Sequence, residues 1–209
     1  MPKKPKTTQP ETINKIQGRD LFQTPNYATS MLIPFIPKNV KYVWECAAGN
    51  GKIVQCLYKE WLDDDGKIIP TDINNVKYSY LNFLLDVPDF NFDCIITNPP
   101  FSLKKKFYER CKSYNFPFAL LLPADYTQWV IDAIRFDGAE KIIPSRRIDY
   151  ITPNGNQGET SSSQFHSMWL TSGFKIGKSE GDGMLGMFAM LDTKELIPIL
   201  LPVTVFIKY

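Results

Sequence analysis

The 209-residue sequence predicts an α/β fold: a mostly parallel sheet with helices on both faces and an antiparallel C-terminal edge. Three observations lead there. Short runs that are apolar at every position, such as Phe118 to Leu122 (FALLL), read as strands buried on both faces. Between Val40 and Phe136 such runs alternate with helical patterns, as parallel strands joined by crossover helices do. After Gly138 the apolar runs follow one another with no helical pattern between them, which predicts antiparallel pairing.

Residues 1–12 (MPKKPKTTQPET) combine Pro2, Pro5 and Pro10 with Lys3, Lys4 and Lys6, and predict a flexible basic tail. Lys41 to Cys46 (KYVWEC) reads as the first buried strand, and the AAGNG that follows turns into a helix from Lys52 to Trp61. Lys67 to Ile73 and Asp93 to Thr97 read as strands, Ser102 to Ser113 as a helix, Phe118 to Leu122 as a strand and Asp125 to Phe136 as a helix. Three further strands are expected at Lys141 to Ile143, Arg147 to Ile151 and Phe165 to Thr171. The Gly/Ser/Asn-rich stretch Thr152 to Ser163 lies between the last two, a length of loop that often serves as a lid or binding loop. One domain over residues 13–175 is expected, with 176–209 as an extension packed on it, in keeping with a domain size of roughly 100–200 residues.

Composition narrows the function classes. With 44% hydrophobic and 22% charged residues the chain suits a globular core, not a disordered or fibrous protein. A net charge of +2 means that any site for a polyanion must be a local patch. Cys46, Cys56, Cys94 and Cys111 form no CxxC pair and His166 stands far from them, so no metal site is expected and the cysteines read as free thiols. His166 is expected to pack beside Phe165. Met1 to Pro10 is polar and basic, and the longest apolar run, Leu196 to Ile207, contains Pro198 and Pro202 and is shorter than the ~20 residues of a membrane helix. A soluble, cytoplasmic protein with no membrane partner, a monomer or weak dimer, is the expectation.

Two segments carry chemistry. Glu45-Cys46-Ala47-Ala48-Gly49-Asn50-Gly51 follows a strand and opens a helix, and its small residues let backbone approach a ligand closely. Asp72 ends the next strand, 21 positions after Gly51, where a carboxylate can accept both hydroxyls of a ribose. The third glycine of GxGxxG is replaced by Val54, and Glu45 at the mouth of the turn repels phosphate but suits a cationic amino group. A ribose, an adenine and an amino-acid tail without phosphate describe S-adenosylmethionine, over whose tail Phe22-Gln23-Thr24-Pro25 could close.

The second segment is Asn98-Pro99-Pro100-Phe101, after the strand ending at Thr97. Two prolines make a stiff loop with outward carbonyls. An exocyclic ring amine is a poor nucleophile because its lone pair is conjugated. If the Asn98 side-chain carbonyl and the Pro99 backbone carbonyl accept its two N–H groups, the nitrogen is drawn toward tetrahedral geometry and its lone pair is freed to attack. Phe101 offers a face on which the target ring can stack, worth about 1–3 kcal/mol per base. No general base is needed before attack, because the proton can leave the methylated nitrogen afterwards, and no metal is needed.

On these residues the sequence resembles the class I S-adenosylmethionine-dependent methyltransferases. It is most similar to the adenine-N6 group, including small bacteriophage-type DNA adenine methyltransferases. The resemblance spans about Phe22 to Pro123 and rests on the order Thr24-Pro25, ECAAGNG, Asp72 and NPPF. It implies a Rossmann-like fold and S-adenosylmethionine as cofactor, leaving as S-adenosylhomocysteine. Thr24, Ala47 and Gly49 would lie around the methionine tail, Asp72 would take the ribose and Ile73 would pack on the adenine. Asn82-Phe83-Leu84 stands where the family often has Asp-Phe-Leu, so Asn82 would accept the adenine amine, with Asp86 as a possible substitute.

A target inside duplex DNA must be extruded into such a pocket, and the backbone then needs cations. Lys104, Arg146 and Arg147 are the candidate phosphate contacts, with Asn154 and Gln157 as candidate base readers. DNA is the expected partner and RNA an alternative. The same loop would also suit the conjugated amide of a protein glutamine, and a non-catalytic binding module with this fold is the reading furthest from an enzyme.

Overall fold

The computed structural model describes residues 22–74, 77–152, 155 and 165–176, together with the backbone of three strands within 187–207. In chain order the elements are α1 (Asn26–Ser30), β1 (Tyr42–Glu45), α2 (Lys52–Glu60), β2 (Lys67–Asp72), β3 (Ser79–Tyr80) and β4 (Cys94–Thr97). Then come a 3-10 turn at Phe101–Leu103 that runs into α3 (Lys104–Tyr114), β5 (Phe118–Pro123), α4 (Gln128–Phe136), β6 (Glu140–Pro144) and β7 (Ser167–Ser172). The last strands are β8 (Met187–Asp192), β9 (Glu195–Leu200) and β10 (Thr204–Ile207).

The ten strands among the described residues form one sheet in the order β3-β2-β1-β4-β5-β7-β6-β10-β8-β9. From β3 to β5 every pairing is parallel. The antiparallel strand β7 lies between β5 and β6, so β6 points the same way as β5. The expected α/β sheet with antiparallel pairing near the C-terminus is therefore present, with β7 inserted into the sheet and three more strands beyond β6.

The continuous apolar runs are explained by two cores, one on each face. Val43, Ile96, Ala119, Leu121 and Trp169 pack on one side, against Ala28 of α1 and Ile53, Val54 and Leu57 of α2. Their strand neighbours Trp44, Ile95, Leu120 and Leu170 pack on the other, against Phe107 and Cys111 of α3 and Val130 and Ala133 of α4. Successive strand side chains point to opposite faces, so a strand covered on both sides has no polar position to spare. Trp44 anchors the second core: its ring meets Phe83, Phe90 and Phe92 at 5.1, 5.3 and 4.8 Å, and its Nε1–H donates to Thr71 Oγ1 at 2.9 Å. Truncating such a side chain to Ala costs about 3–5 kcal/mol.

Some expected elements form differently. Arg147 to Ile151 is not a strand; Ile151 makes a single bridge with Gln23, the two backbones exchanging bonds of 2.8 and 3.0 Å. The last helix of the α/β region begins at Gln128 instead of Asp125, because Asp125 Oδ1 accepts the N–H and the hydroxyl of Thr127 and holds a turn there. Asp93 is not a strand residue: its carboxylate accepts the N–H groups of Lys41 and Tyr42 and fixes the start of β1. His166 is exposed, and its carbonyl accepts the Ala124 N–H at 2.7 Å. All four cysteines are buried free thiols. Among the described residues, no helix is long and apolar enough to cross a membrane and no His/Cys/Asp/Glu group could hold a metal.

Candidate active site

The strand order reverses between β1 and β4, and open parallel sheets bind ligands beyond the carboxyl ends of the strands at that point. Here the loops after β1 and β4 and the segment 22–24 open onto one cavity of about 320 Å³. Glu45, Ala47, Gly49, Asp72 and Ile73 line it, as do Asn82 and Phe83. So do Thr24, Asn98 and Pro100. The glycine turn and the NPPF loop share it.

The turn is built by its glycines. Gly49 has φ +50° and Gly51 φ +78°, in the left-handed region that disfavours side chains. The Gly49 N–H donates to Asp72 Oδ2 at 2.9 Å, so the carboxylate that ends β2 also shapes the turn after β1. The Asn74 N–H donates to the other oxygen at 2.8 Å, leaving further lone pairs on both. Gln23 lies against Gly49, where an added Cβ would sit 3.2 Å from its amide atoms, and its Oε1 accepts the Asn50 N–H. At Gly51 a Cβ would collide with Tyr78, so that glycine serves packing and does not line the cavity.

Glu45 is 1% exposed. Its Oε1 accepts hydrogen bonds from the Thr97 hydroxyl and from the Ala47 N–H, at 3.1 Å for the latter. Oε2 is buried without a partner. Burial pushes the carboxyl up to about 8; the two hydrogen bonds pull it down, and the nearby Asp72 adds a smaller upward push. A buried acid with one oxygen unserved is poised to take a cationic or donor group.

Asn98 repeats the pattern. Its Nδ2–H donates to Thr24 Oγ1 at 3.0 Å, while Oδ1 is buried with no partner. Buried polar atoms are rarely left so, and both of these residues line the one cavity.

Several predicted residues are placed elsewhere. Pro25, Pro99 and Phe101 do not line the cavity. Phe101 is half-buried, with edge contacts to Phe165 at 5.6 Å and Tyr150 at 6.3 Å. Asp86 does not substitute for Asn82: its Oδ2 accepts the Asn82 N–H at 2.7 Å, and it does not line the cavity. Lys104 is in an ion pair with Asp125. Partial burial raises the Asp125 carboxyl, but bonds from Lys104 and Thr127 outweigh it and hold the group below the usual carboxylate range. Arg146 and Arg147 are exposed just after β6, on the edge of the sheet where β1 and β4 also end. Asn154 and Gln157 lie outside the described residues. Thr97 escaped the sequence reading: as the last residue of an apolar strand it carries no motif, and only its position before Asn98 could have drawn notice.

No protein-family model matches the sequence, and no curated protein matches it. Solved structures do match. One is a protein assigned as an RNA methyltransferase from Pyrococcus horikoshii, with a TM-score of 0.51 and 12% identity over 72% of this chain and 84% of that one. Another is the methyltransferase subunit of a type I restriction-modification system from Streptococcus thermophilus, at 0.51 and 13% over 72% of this chain and 44% of that one. A third is a protein assigned as a class I S-adenosylmethionine-dependent methyltransferase from Listeria monocytogenes, at 0.50 and 13% over 78% of this chain and 65% of that one. The fold is that of the class I methyltransferases. At these identities the likeness concerns architecture alone.

Proposed function

We propose that the protein transfers a methyl group from S-adenosylmethionine to the N6 amine of adenine in DNA, with the target base swung out into the cavity. The observation that carries this reading is the pair of unserved buried oxygens, Glu45 Oε2 and Asn98 Oδ1, on one cavity. They suit two different donors. Glu45, in the glycine turn, suits the ammonium group of an amino-acid tail. Asn98, in the rigid NPPF loop, suits an N–H of a conjugated amine.

The cofactor fits the residues present. Gly49 lines the cavity as backbone with Gln23 packed where a Cβ would be, Asp72 keeps lone pairs for ribose hydroxyls, and Ile73, Asn82 and Phe83 supply an apolar and amide lining for an adenine. When bound, S-adenosylmethionine supplies an electrophilic methyl carbon on a sulfonium leaving group. The chain's part is alignment and electrostatics. Asn98 Oδ1 accepts an N–H of the target amine, which weakens conjugation of the nitrogen lone pair with the ring. Pro99 and Pro100 keep that acceptor from moving. Arg146 and Arg147, exposed beyond the carboxyl end of β6, are the cations proposed for the nucleic-acid backbone.

The test is transfer of a labelled methyl group to duplex DNA, single-stranded DNA, RNA and protein in parallel, with Asn98→Ala as control. Label in adenine N6 of DNA, lost in a folded Asn98→Ala, is the expected result. Label only in RNA or in glutamine reassigns the substrate. A protein that binds S-adenosylhomocysteine but transfers nothing is a binding module.

A further inference from the structure

Thr24 and Asn98 are 74 positions apart and meet side chain to side chain, in the 3.0 Å bond from Asn98 Nδ2 to Thr24 Oγ1. Both line the cavity, and Thr24 is 3% exposed. We infer that Thr24 is a positioning residue for Asn98: its hydroxyl engages the amide nitrogen and so leaves the amide oxygen facing the target amine. The inference rests on the function proposed above and differs from the methionine-tail contact that the family resemblance implies for Thr24.

The reasoning is geometric. An amide has a donor end and an acceptor end on opposite sides of one carbon, so occupying one end aims the other. Asn98 Oδ1 is buried without a partner, an arrangement that persists only if something holds it, because a buried acceptor is costly to leave unserved. The nitrogen's bond to Thr24 is the side-chain contact that does so. Thr24 can act as anchor because its own segment is fixed: Gln23 bridges to Ile151, and Trp169 Nε1–H donates to the Ala28 carbonyl at 2.7 Å in α1. The anchor comes from before β1 and the acceptor from after β4, so the pair closes the cavity between segments that are distant in sequence.

The experiment compares Thr24→Val, which keeps the shape and removes the hydroxyl, with Thr24→Ser, which keeps the hydroxyl. Three readouts are taken: kcat at saturating cofactor and DNA, the Kd for S-adenosylhomocysteine, and the Asn98 side-chain NH2 resonances, identified by their loss in Asn98→Ala. Expected for Thr24→Val are a kcat lowered about 10-fold or more, a cofactor Kd within twofold of wild type, and shifted, faster-exchanging Asn98 resonances. Thr24→Ser should restore all three. A raised cofactor Kd with unchanged saturating kcat would make Thr24 a tail contact and overturn the inference, as would Asn98 resonances that do not move. If the wild-type protein transfers no methyl group to DNA, the proposed function fails, and the amide resonances still decide the role of Thr24.

Discussion

The hydroxyl of Thr97, the last residue of β4, donates a hydrogen bond to Oε1 of Glu45, the last residue of β1. It ties the two strand ends that flank the reversal of strand order and serves one oxygen of the acid while the other is buried without a partner. With a bound ammonium holding Glu45 ionised, this is a hydrogen bond to a charged group, worth about 1.5–3 kcal/mol. Thr97→Val, close in shape, should weaken S-adenosylhomocysteine binding about 10- to 100-fold by calorimetry, with the fold intact by circular dichroism. An unchanged Kd would remove Thr97 from the site.

Burial holds Glu45 protonated at neutral pH, since its carboxyl is pushed from 4.5 up to about 8. An ammonium group bound at Oε2 favours the ionised form, so binding at pH 7 should release close to one proton. Calorimetry in buffers of different ionisation enthalpy measures this, and Glu45→Gln should abolish the release and weaken binding. Proton release that survives in Glu45→Gln would assign it to another group.

The same shift gives a stability profile. Between pH 4.5 and about 8 the folded protein keeps a proton on Glu45 that the unfolded chain has lost. The contribution of Glu45 is therefore fully present below 4.5, declines as pH rises, and is gone above about 8. Without ligand, Glu45→Gln should melt like wild type near pH 4.5 and at a higher temperature near pH 8.5. Parallel melting curves across that range would show that Glu45 ionises freely.

Gly49→Ala places a side chain at φ +50° and a Cβ 3.2 Å from the Gln23 amide. A left-handed non-glycine residue costs about 1–3 kcal/mol, and about 1 kcal/mol lowers Tm by roughly 2–4 °C in a chain of this size. Thermal melts should show a loss of that order or larger, with S-adenosylhomocysteine binding weakened as Gln23 shifts. A variant with wild-type Tm and Kd would mean that the turn tolerates a Cβ there.

Replacing Arg146 and Arg147 together with Ala should lower the slope of log K against log salt for duplex DNA by about two, each arginine counting for about one phosphate. Cofactor affinity should stay put. A slope equal to that of wild type would move the nucleic-acid path elsewhere on the surface.

The sheet was legible because it is buried on both faces: the apolar runs at Lys41–Cys46, Lys67–Ile73 and Phe118–Leu122 coincide with β1, β2 and β5 to within a residue or so. α1 and β3, five and two residues long, carry too little periodicity to stand out. Glu45, Asp72 and Asn98 could be singled out because they stand at the carboxyl ends of predicted strands, beside a glycine turn or a Pro-Pro loop, where open parallel sheets bind ligands. Tertiary contacts were not legible. Nothing local says that the lysine at 104 is spent on Asp125, or that Arg147 to Ile151 would meet Gln23 instead of pairing as a strand. The hydroxyl of Thr97 matters only because β1 and β4 are neighbours.

The short arm bearing Thr24 is fastened by groups far along the polypeptide: Ile151 grips Gln23, and Trp169 reaches Ala28 across 141 positions. Such high-separation contacts form slowly, since the intervening loop must close before they repay its entropy. A nascent chain would have to expose β7 before its beginning could lock down, even though the glycine turn and its helix were made long before. Refolding should then recover helical signal first and ligand-binding competence last.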